Sequence, residues 1–212
     1  MAGLKEKRAE ETRKAILTAA GKLFKDKGFS QISMREIAKE AGCSHTTIYL
    51  YFKDKEALLH HLSGPPLEKL HEQMQAIVSG GEEAEGGRLK QMFRAAVQFS
   101  LENRSTYSIL LGTNATRVDT ESPGSELNRL RLGLFQLMKQ ELGRTLELPD
   151  GERLLAFGRI YYYQLLGVSG TYSESEERTE SLMERLSATF DQAVDVLLAG
   201  FRAQLSNTNG RD

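Results

Sequence analysis

Hydrophobic residues recur every three or four positions along most of this chain, which is the repeat of an amphipathic α-helix. In residues 11–27 the apolar positions form one stripe from Ile16 to Phe24, and a longer stripe extends from Leu182 to Leu205. Few stretches alternate apolar and polar residues in the manner of a half-buried strand. The pattern therefore predicts an all-α protein with about nine helices.

Glycine and proline residues divide this helical pattern. We expect Gly64-Pro65-Pro66 to end the fourth helix and to separate an amino-terminal domain, residues 1–63, from a second helical domain, residues 64–212. The helices predicted after the first span residues 33–41, 44–52, 54–62, 67–78, 88–103, 104–116, 126–144, 151–172 and 176–205. Loops are predicted at residues 80–87 and 120–125, and a disordered tail at residues 206–212.

Residues 33–52 carry the signals of two short helices joined by a tight turn. Ser33 and Glu36 have the spacing of a capping box, in which each side chain satisfies a free backbone N–H of the other residue. Gly42 permits the left-handed backbone that reverses the chain, and Ser44 is an N-cap for the second helix. This arrangement is a helix-turn-helix, which is typical of DNA-binding proteins but also occurs in proteins that bind no DNA. The predicted scaffold consists of Ser33, Glu36, Ala38, Gly42, Cys43, Ile48 and Phe52.

The outer side of the second short helix is rich in hydrogen-bonding groups. Its predicted exposed residues are His45, Thr46, Thr47, Tyr49 and Tyr51. Such a helix can enter the major groove and reach base edges near its amino end, while Lys53 and Lys55 follow it and can meet phosphates. For His45, a direct base contact and a contact to phosphate or water are both open.

The run ISMREIAKEAGCSHTTIYLYFKDKEALL, together with the preceding LFKDKGF, resembles the amino-terminal domain of the TetR family. The resemblance covers residues 10–62 and rests on IA-x-x-AG, a Ser-capped helix, a Tyr followed three residues later by Phe, and Lys-x-x-L-L. It implies that Tyr49 and Lys55 grip phosphates. His45 and Thr46 depart from the commoner residues of the family, which leaves the operator sequence open. The predicted DNA-binding residues are Ser33, Arg35, Ser44, His45, Thr46, Thr47, Tyr49, Tyr51, Lys53 and Lys55.

The distribution of charge agrees with a nucleic-acid partner for the first domain. Residues 1–63 contain 12 Lys and Arg against 8 Asp and Glu, whereas the remainder contains 16 against 21. A basic segment on an acidic body fits a polyanion, although a solvated basic face would have the same composition. The single cysteine, Cys43, the absence of an apolar leader and the lack of any run of 18 apolar residues predict a cytoplasmic protein without a membrane span.

The body is expected to form a homodimer through its last two helices. Long helices with broad apolar stripes suit a four-helix bundle built from two subunits, and Gly158, Gly167 and Gly170 would let a neighbouring helix approach closely. The alternative is that the same stripes pack within one chain. Resemblance to the family implies a palindromic operator in double-stranded DNA, repression, and an effector bound in the body.

Aromatic and methionine residues gather in the body and indicate a site for a small, mostly apolar effector. The alternative is that each of them belongs to the core. Because successive helical residues point about 100° apart, at most one or two of Tyr161, Tyr162 and Tyr163 can line a pocket. The candidate ligand-binding residues are Phe93, Tyr107, Phe135, Met138, Phe157, Tyr161 and Gln164.

Enzyme motifs are missing from the sequence, which has no Walker loop, GxGxxG, CxxC or GxSxG, and no cofactor is expected. His60, His61 and His71 are better explained as polar surface residues than as metal ligands, because we expect the helix to break between them. The leading hypothesis is a ligand-responsive DNA-binding regulator. A helical DNA-binding protein without an inducer is second, and a helical enzyme or protein-interaction module is a distant third.

Overall fold

The computed structural model describes residues 2–81, 86–104 and 124–209, and within them the regular structure is helical throughout. The α-helices are α1 (Ala2–Lys27), α2 (Met34–Glu40), α3 (His45–Tyr49), α4 (Lys55–Ser79), α5 (Gly87–Glu102), α6 (Glu126–Thr145), α7 (Glu152–Thr171) and α8 (Thr179–Asn209). A single 3₁₀ turn, Phe29–Gln31, lies between α1 and α2. The all-α prediction is confirmed, and the described part of the chain contains eight α-helices.

The first three helices pack around a small apolar centre. Ile16, Ala20 and Phe24 of α1 are fully buried, as the predicted stripe requires, and they share one core with Ile37 of α2 and Ile48 of α3. Helix α1 begins well before residue 11, where we expected it to start. Its exposed first turns are rich in Lys, Glu, Arg and Ala, which favour a helix even without packing.

The fourth helix contradicts the sequence prediction, because Gly64-Pro65-Pro66 does not end it. Helix α4 continues through both prolines to Ser79. Residues on both sides of the prolines are buried in the same core: Leu58, Leu59, Leu67, Leu70 and Met74. This packing holds the two halves in one helix although each interior proline costs about 3 kcal/mol. The predicted division between residues 63 and 64 thus falls inside a helix.

The body consists of α4 to α8. Helix α4 packs on α5 and α6, α5 also packs on α8, and α6 packs on α7. The helices predicted at residues 88–103, 126–144 and 151–172 are confirmed within one or two residues. The predicted disorder from residue 206 is wrong for residues 206–209, which continue α8. The predicted helix at 104–116, most of the loop at 120–125, the centre of the loop at 80–87 and residues 210–212 lie outside the described residues.

Across the described ranges, none of the helices combines the length and the apolar character that crossing a bilayer requires.

Candidate functional site

The capping box predicted at the start of α2 is present. The backbone N–H of Ser33 donates to Glu36 Oε2 at 2.9 Å, and the backbone N–H of Glu36 donates to Ser33 Oγ at 3.3 Å. These hydrogen bonds to Ser33 hold the pKa of Glu36 below its usual range. The first helix of the pair therefore begins where local sequence places it. At its other end, Lys22 Nζ donates to Glu40 Oε1 at 2.6 Å and ties α2 to α1.

The turn between α2 and α3 has the predicted geometry. Gly42 has φ of 69°, in the left-handed region that favours glycine. The backbone N–H of Cys43 donates to the carbonyl of Ala38 at 2.9 Å, and Ala38 is buried where α3 crosses. Burial also raises the pKa of the Cys43 thiol, so this side chain packs as a small hydrophobic group and is not an activated nucleophile.

Helix α3 is only five residues long and is held by its cap and one buried side chain. Ser44 Oγ accepts a hydrogen bond from the backbone N–H of Thr47 at 3.0 Å and lies 2.7 Å from Thr47 Oγ1. Ile48 is fully buried. Since so short a helix is unstable alone, these two contacts set the direction in which α3 presents its outer face.

Three of the five residues predicted to be exposed on the outer side of α3 are exposed, whereas Thr47 and Tyr51 are half-buried. His45, Thr46 and Tyr49 are exposed, and the His45 and Tyr49 rings meet edge to face with centroids 5.1 Å apart. Sequence reasoning missed Leu50, which is 80% exposed at the end of α3. An apolar side chain in this position can contact a thymine methyl. The signal in the sequence is that no apolar residue lies three or four positions before or after Leu50.

The other predicted DNA-binding residues differ in how exposed they are and in the contacts that they make within the protein. Arg35 and Lys53 are exposed. Tyr51 is half-buried and packs against the core. Lys55 is more constrained, because its Nζ donates to the carbonyl of Phe29 at 2.8 Å and lies 4.7 Å from the centre of the Phe29 ring. Its ammonium group has three donors, so this contact leaves others for a phosphate.

The body contains a cavity of ≈ 60 Å³ between four helices. Its walls are mostly apolar, and its polar side chains are Ser100, Arg131, Tyr162 and Ser169. Helix α4 supplies two of the lining residues. The full lining is Leu67, Leu70, Ala96, Phe99, Ser100, Arg131, Leu134, Met138, Tyr162, Leu165, Leu166 and Ser169.

Most of the predicted ligand-binding residues lie elsewhere in the body. Of the six that the structure describes, Met138 lines this cavity. Phe93 and Tyr161 meet edge to face in the core, Phe135 meets Tyr162, Phe157 stacks on Phe201 of α8, and Gln164 is exposed. Tyr107 lies outside the described residues. The four predicted aromatic residues that the structure describes are buried in the core, where they fill the space between helices, and none of them lines the cavity.

The three consecutive tyrosines diverge as helix geometry requires. Tyr161 is buried and its hydroxyl donates to the carbonyl of Leu89 at 2.6 Å. Tyr162 lines the cavity, and Tyr163 is 59% exposed. The argument that at most one or two of them can line a pocket is confirmed.

Arg131 is the polar residue that sequence reasoning missed. Its side chain is almost completely buried, its Nη1 donates to Asn128 Oδ1 at 3.0 Å, and its Nε has no hydrogen-bond partner among the described residues. Burial raises the pKa of Tyr162, and the charge and hydrogen bond of Arg131 act against this rise. The signal in the sequence is that Arg131 occupies a place on the apolar stripe Leu127, Leu134, Met138.

The outward faces of α7 and α8 leave apolar residues in solvent. Ile160 and Tyr163 of α7 and Val196 of α8 are exposed, Val196 to 64%. A Cβ added to Gly167 or Gly170 would meet open space, which places both glycines on the surface, whereas Gly158 packs against Lys139 of the same chain. The exposed positions 160, 163, 167 and 170 lie on one stripe of α7.

A metal site is not formed by the residues considered for it. The His60 and His61 rings lie with centroids 6.4 Å apart, and no group of three His, Cys, Asp or Glu side chains in the described ranges is arranged to hold an ion. The expectation that the helix breaks between these histidines and His71 is wrong, since α4 carries all three.

One segment of the chain is similar to a known protein family. Residues 16–62 match the family model of bacterial regulatory proteins of the tetR family. The chain is 42% identical over 59 residues to an uncharacterized HTH-type transcriptional regulator of Haemophilus influenzae, covering 27% of this chain and 29% of that protein. It is 29% identical over 136 residues to the fatty acid metabolism regulator protein of Bacillus subtilis, covering 64% and 63%.

A solved structure extends the similarity of fold to the body. The transcriptional regulator FadR from Bacillus subtilis, in complex with stearoyl-CoA, superposes with a TM-score of 0.60 at 19% identity, covering 88% of this chain and 97% of that one. The matched segments span less than two thirds of the two relatives described above. The helix-turn-helix segment is thus similar to the amino-terminal domain of tetR-family regulators, and the chain as a whole shares the fold of a solved transcriptional regulator.

Proposed function

We propose that this chain is a ligand-responsive transcriptional repressor that binds a palindromic operator as a homodimer and is released by a small, mostly apolar effector. The observation that carries the proposal is the continuity of α4. This helix begins shortly after the proposed DNA-reading face and passes through the wall of the body cavity at Leu67 and Leu70. One rigid element thus joins the two places where the proposed partners bind, in a protein that acts on DNA in the cytoplasm.

DNA recognition is assigned to α3 and its flanks. His45 and Thr46 are exposed at the amino end of α3, where side chains of a recognition helix reach base edges. Tyr49 and Lys55, with Lys53 and Arg35 beside them, take phosphates, and these contacts fix the register without reading sequence. Ser33, Ser44 and Thr47 act at least in part through the caps that orient the two helices.

Dimerisation is assigned to the outward faces of α7 and α8. The α7 stripe of Ile160, Tyr163, Gly167 and Gly170 combines exposed apolar groups with glycines that permit close helix approach. Val196 of α8 adds an apolar residue on the neighbouring helix. Two-fold symmetry about these helices would present two reading faces to successive major grooves, about 34–36 Å apart.

Effector binding is assigned to the cavity, and its small volume suggests how release occurs. Sites for drug-sized ligands have volumes of about 300–1,000 Å³, so the cavity of ≈ 60 Å³ must widen to admit one. Leu67 and Leu70 of α4 form part of the wall, about 18 Å and more along the helix from Lys55. Widening the cavity displaces α4 and with it the reading face. The stearoyl-CoA complex of the FadR structure supports an effector with an apolar portion.

Selection of binding sites from random duplexes tests the proposed function. We expect one enriched palindrome, bound by two chains, with an affinity that falls steeply as salt rises. Thr46→Ala is the test variant and Thr18→Ala, an exposed threonine of α1, is the matched control. The control should leave the selected sequence unchanged. The proposal fails if the folded protein binds no duplex at low salt. It also fails if Thr46→Ala leaves the selected sequence unchanged while Tyr49→Phe and Lys53→Ala leave the affinity unchanged.

A further inference from the structure

The cavity in the body contains a positive charge that the described residues do not neutralise. Arg131 is 7% exposed, and its hydrogen-bonding partners in the described residues are the neutral side chains of Asn128 and Tyr162. No carboxylate of the described ranges forms an ion pair with it, whereas the buried Glu141 further along α6 lies within ion-pair distance of Arg88 and Arg144. Arg131 therefore differs from the other buried charge of the same helix.

The buried position of Arg131 lowers the stability of the fold, which is unexpected for a residue with only a structural role. It occupies the apolar stripe of α6 between Leu127 and Leu134, where a leucine would fill the same space without desolvating a charge. A buried ion without a counter-charge destabilises the fold, and its Nε–H adds an unsatisfied buried donor. An anion in the cavity would supply the missing counter-charge and a hydrogen-bond acceptor.

The remainder of the cavity is suited to an apolar group. Leu67 and Leu70 of α4, Leu134 and Met138 of α6, and Leu165 of α7 give the cavity hydrocarbon walls. Of the other polar side chains, Ser100 donates to the carbonyl of Val97 at 2.7 Å, and Tyr162 is hydrogen-bonded to Arg131. The cavity thus presents one cation in a mostly apolar space.

We infer that the effector is an amphipathic carboxylate, whose single negative charge pairs with Arg131 while its apolar portion occupies the space between α4, α6 and α7. This inference rests on the proposed function, because it names the chemical class of the effector. A carboxylate matches one guanidinium in charge and in planar geometry. A phosphate monoester carries −1.5 to −2 near neutral pH, and the described lining offers no second cation for it.

Binding of matched amphiphiles tests the inference. Octanoate, 1-octanol and octyl phosphate are titrated into the full-length protein at pH 7.5 by calorimetry. We expect octanoate to bind about 30-fold or more tightly than 1-octanol, since loss of one partner of a buried charge pair has about this effect. Arg131→Leu should remove this preference and favour the alcohol. Arg129→Gln, an exposed arginine on the same helix, should leave it unchanged.

Stability provides a second measurement that needs no ligand. Without an effector, Arg131→Leu should raise the thermal midpoint, because it removes an uncompensated buried charge, and octanoate should stabilise the wild type but not the variant. Equal affinities for octanoate and 1-octanol, tighter binding of octyl phosphate, or no binding of any of the three would overturn the inference. A lower midpoint for Arg131→Leu with an unchanged preference for octanoate would assign Arg131 a structural role instead.

Release of operator DNA separates this inference from the proposed function. If octanoate binds through Arg131 and the protein stays on its operator, the assignment of the site stands and the effector-release function fails. If 1-octanol releases the operator equally well from wild type and Arg131→Leu, the proposed function stands and the carboxylate assignment fails.

Discussion

Lys55 contacts Phe29 within the protein and is also proposed to meet a phosphate of the DNA, and replacing it should separate these two roles. Its Nζ donates to the carbonyl of Phe29 at 2.8 Å and lies over the Phe29 ring at 4.7 Å. A hydrogen bond from a charged group contributes about 1.5–3 kcal/mol and a cation–π contact about 0.5–1 kcal/mol. Because the site is only partly buried, the lower values apply, and Lys55→Ala should lower the free energy of unfolding by about 2 kcal/mol.

The phosphate contact of Lys55 should appear in a different measurement. If the ammonium also meets a phosphate, the slope of log affinity against log salt should fall by about 1 in Lys55→Ala, with similar losses on all duplexes. Lys53→Ala is the matched control, because Lys53 is exposed and its one defined ion pair is with the neighbouring Asp54 at 3.7 Å. It should change the salt slope by a similar amount while leaving the free energy of unfolding almost unchanged.

Two assays decide this prediction: urea denaturation followed by circular dichroism, and fluorescence anisotropy of labelled duplex over a range of salt concentrations. An unchanged salt slope for Lys55→Ala with reduced stability would mean that Lys55 only fastens the turn after α1 to the start of α4. Unchanged stability with a reduced slope would refute the energetic reasoning from the Phe29 contacts.

Three further predictions concern the helix-turn-helix, residues 33–52, and α4. Gly42→Ala should lower the free energy of unfolding by about 1–2 kcal/mol, measured by denaturation, because its φ of 69° is unfavourable for alanine. Pro65→Ala should raise the thermal midpoint, corresponding to about 2 kcal/mol, because it restores a backbone donor inside a continuous helix. His45→Ala should change which duplexes are selected from a random pool, whereas Tyr49→Phe should weaken binding to all of them alike.

Each of these has a result that contradicts it. A neutral Gly42→Ala would show that the turn relaxes out of the left-handed region. A lower midpoint for Pro65→Ala, with the exposed loop variant Pro149→Ala as control, would mean that the proline pair stabilises α4. If His45→Ala weakens every duplex equally, His45 contacts the backbone of the DNA and does not read its sequence.

The helix-turn-helix could be predicted from the sequence because the residues that determine it lie close together in the chain. The capping box of Ser33 and Glu36, the left-handed Gly42 and the cap at Ser44 act within three or four residues of chain. Each depends on backbone geometry that the residue type itself restricts. The predicted scaffold therefore matches the structure, whereas Thr47 and Tyr51, which were predicted to be exposed, are half-buried.

Tertiary packing decided the features that connect the head to the body. The local preference of proline is to end a helix at Pro65-Pro66. Buried leucines on both sides of the pair outweigh this preference, and α4 forms one continuous helix. The cavity is likewise a property of four helices together, since it lies where side-chain volumes fail to fill the space between them. Composition favoured the large aromatic residues as ligand contacts, and packing used them to fill the core.

The sequence by itself determined that this chain folds as helices with an amino-terminal helix-turn-helix head, because periodicity and caps are encoded over short spans of chain. Only the tertiary structure decided that α4 reaches from that head to the cavity wall and that Arg131 lies buried there without a counter-charge among the described residues. The physical reason is that burial and charge compensation depend on residues far apart in the chain, which meet only after the helices have packed.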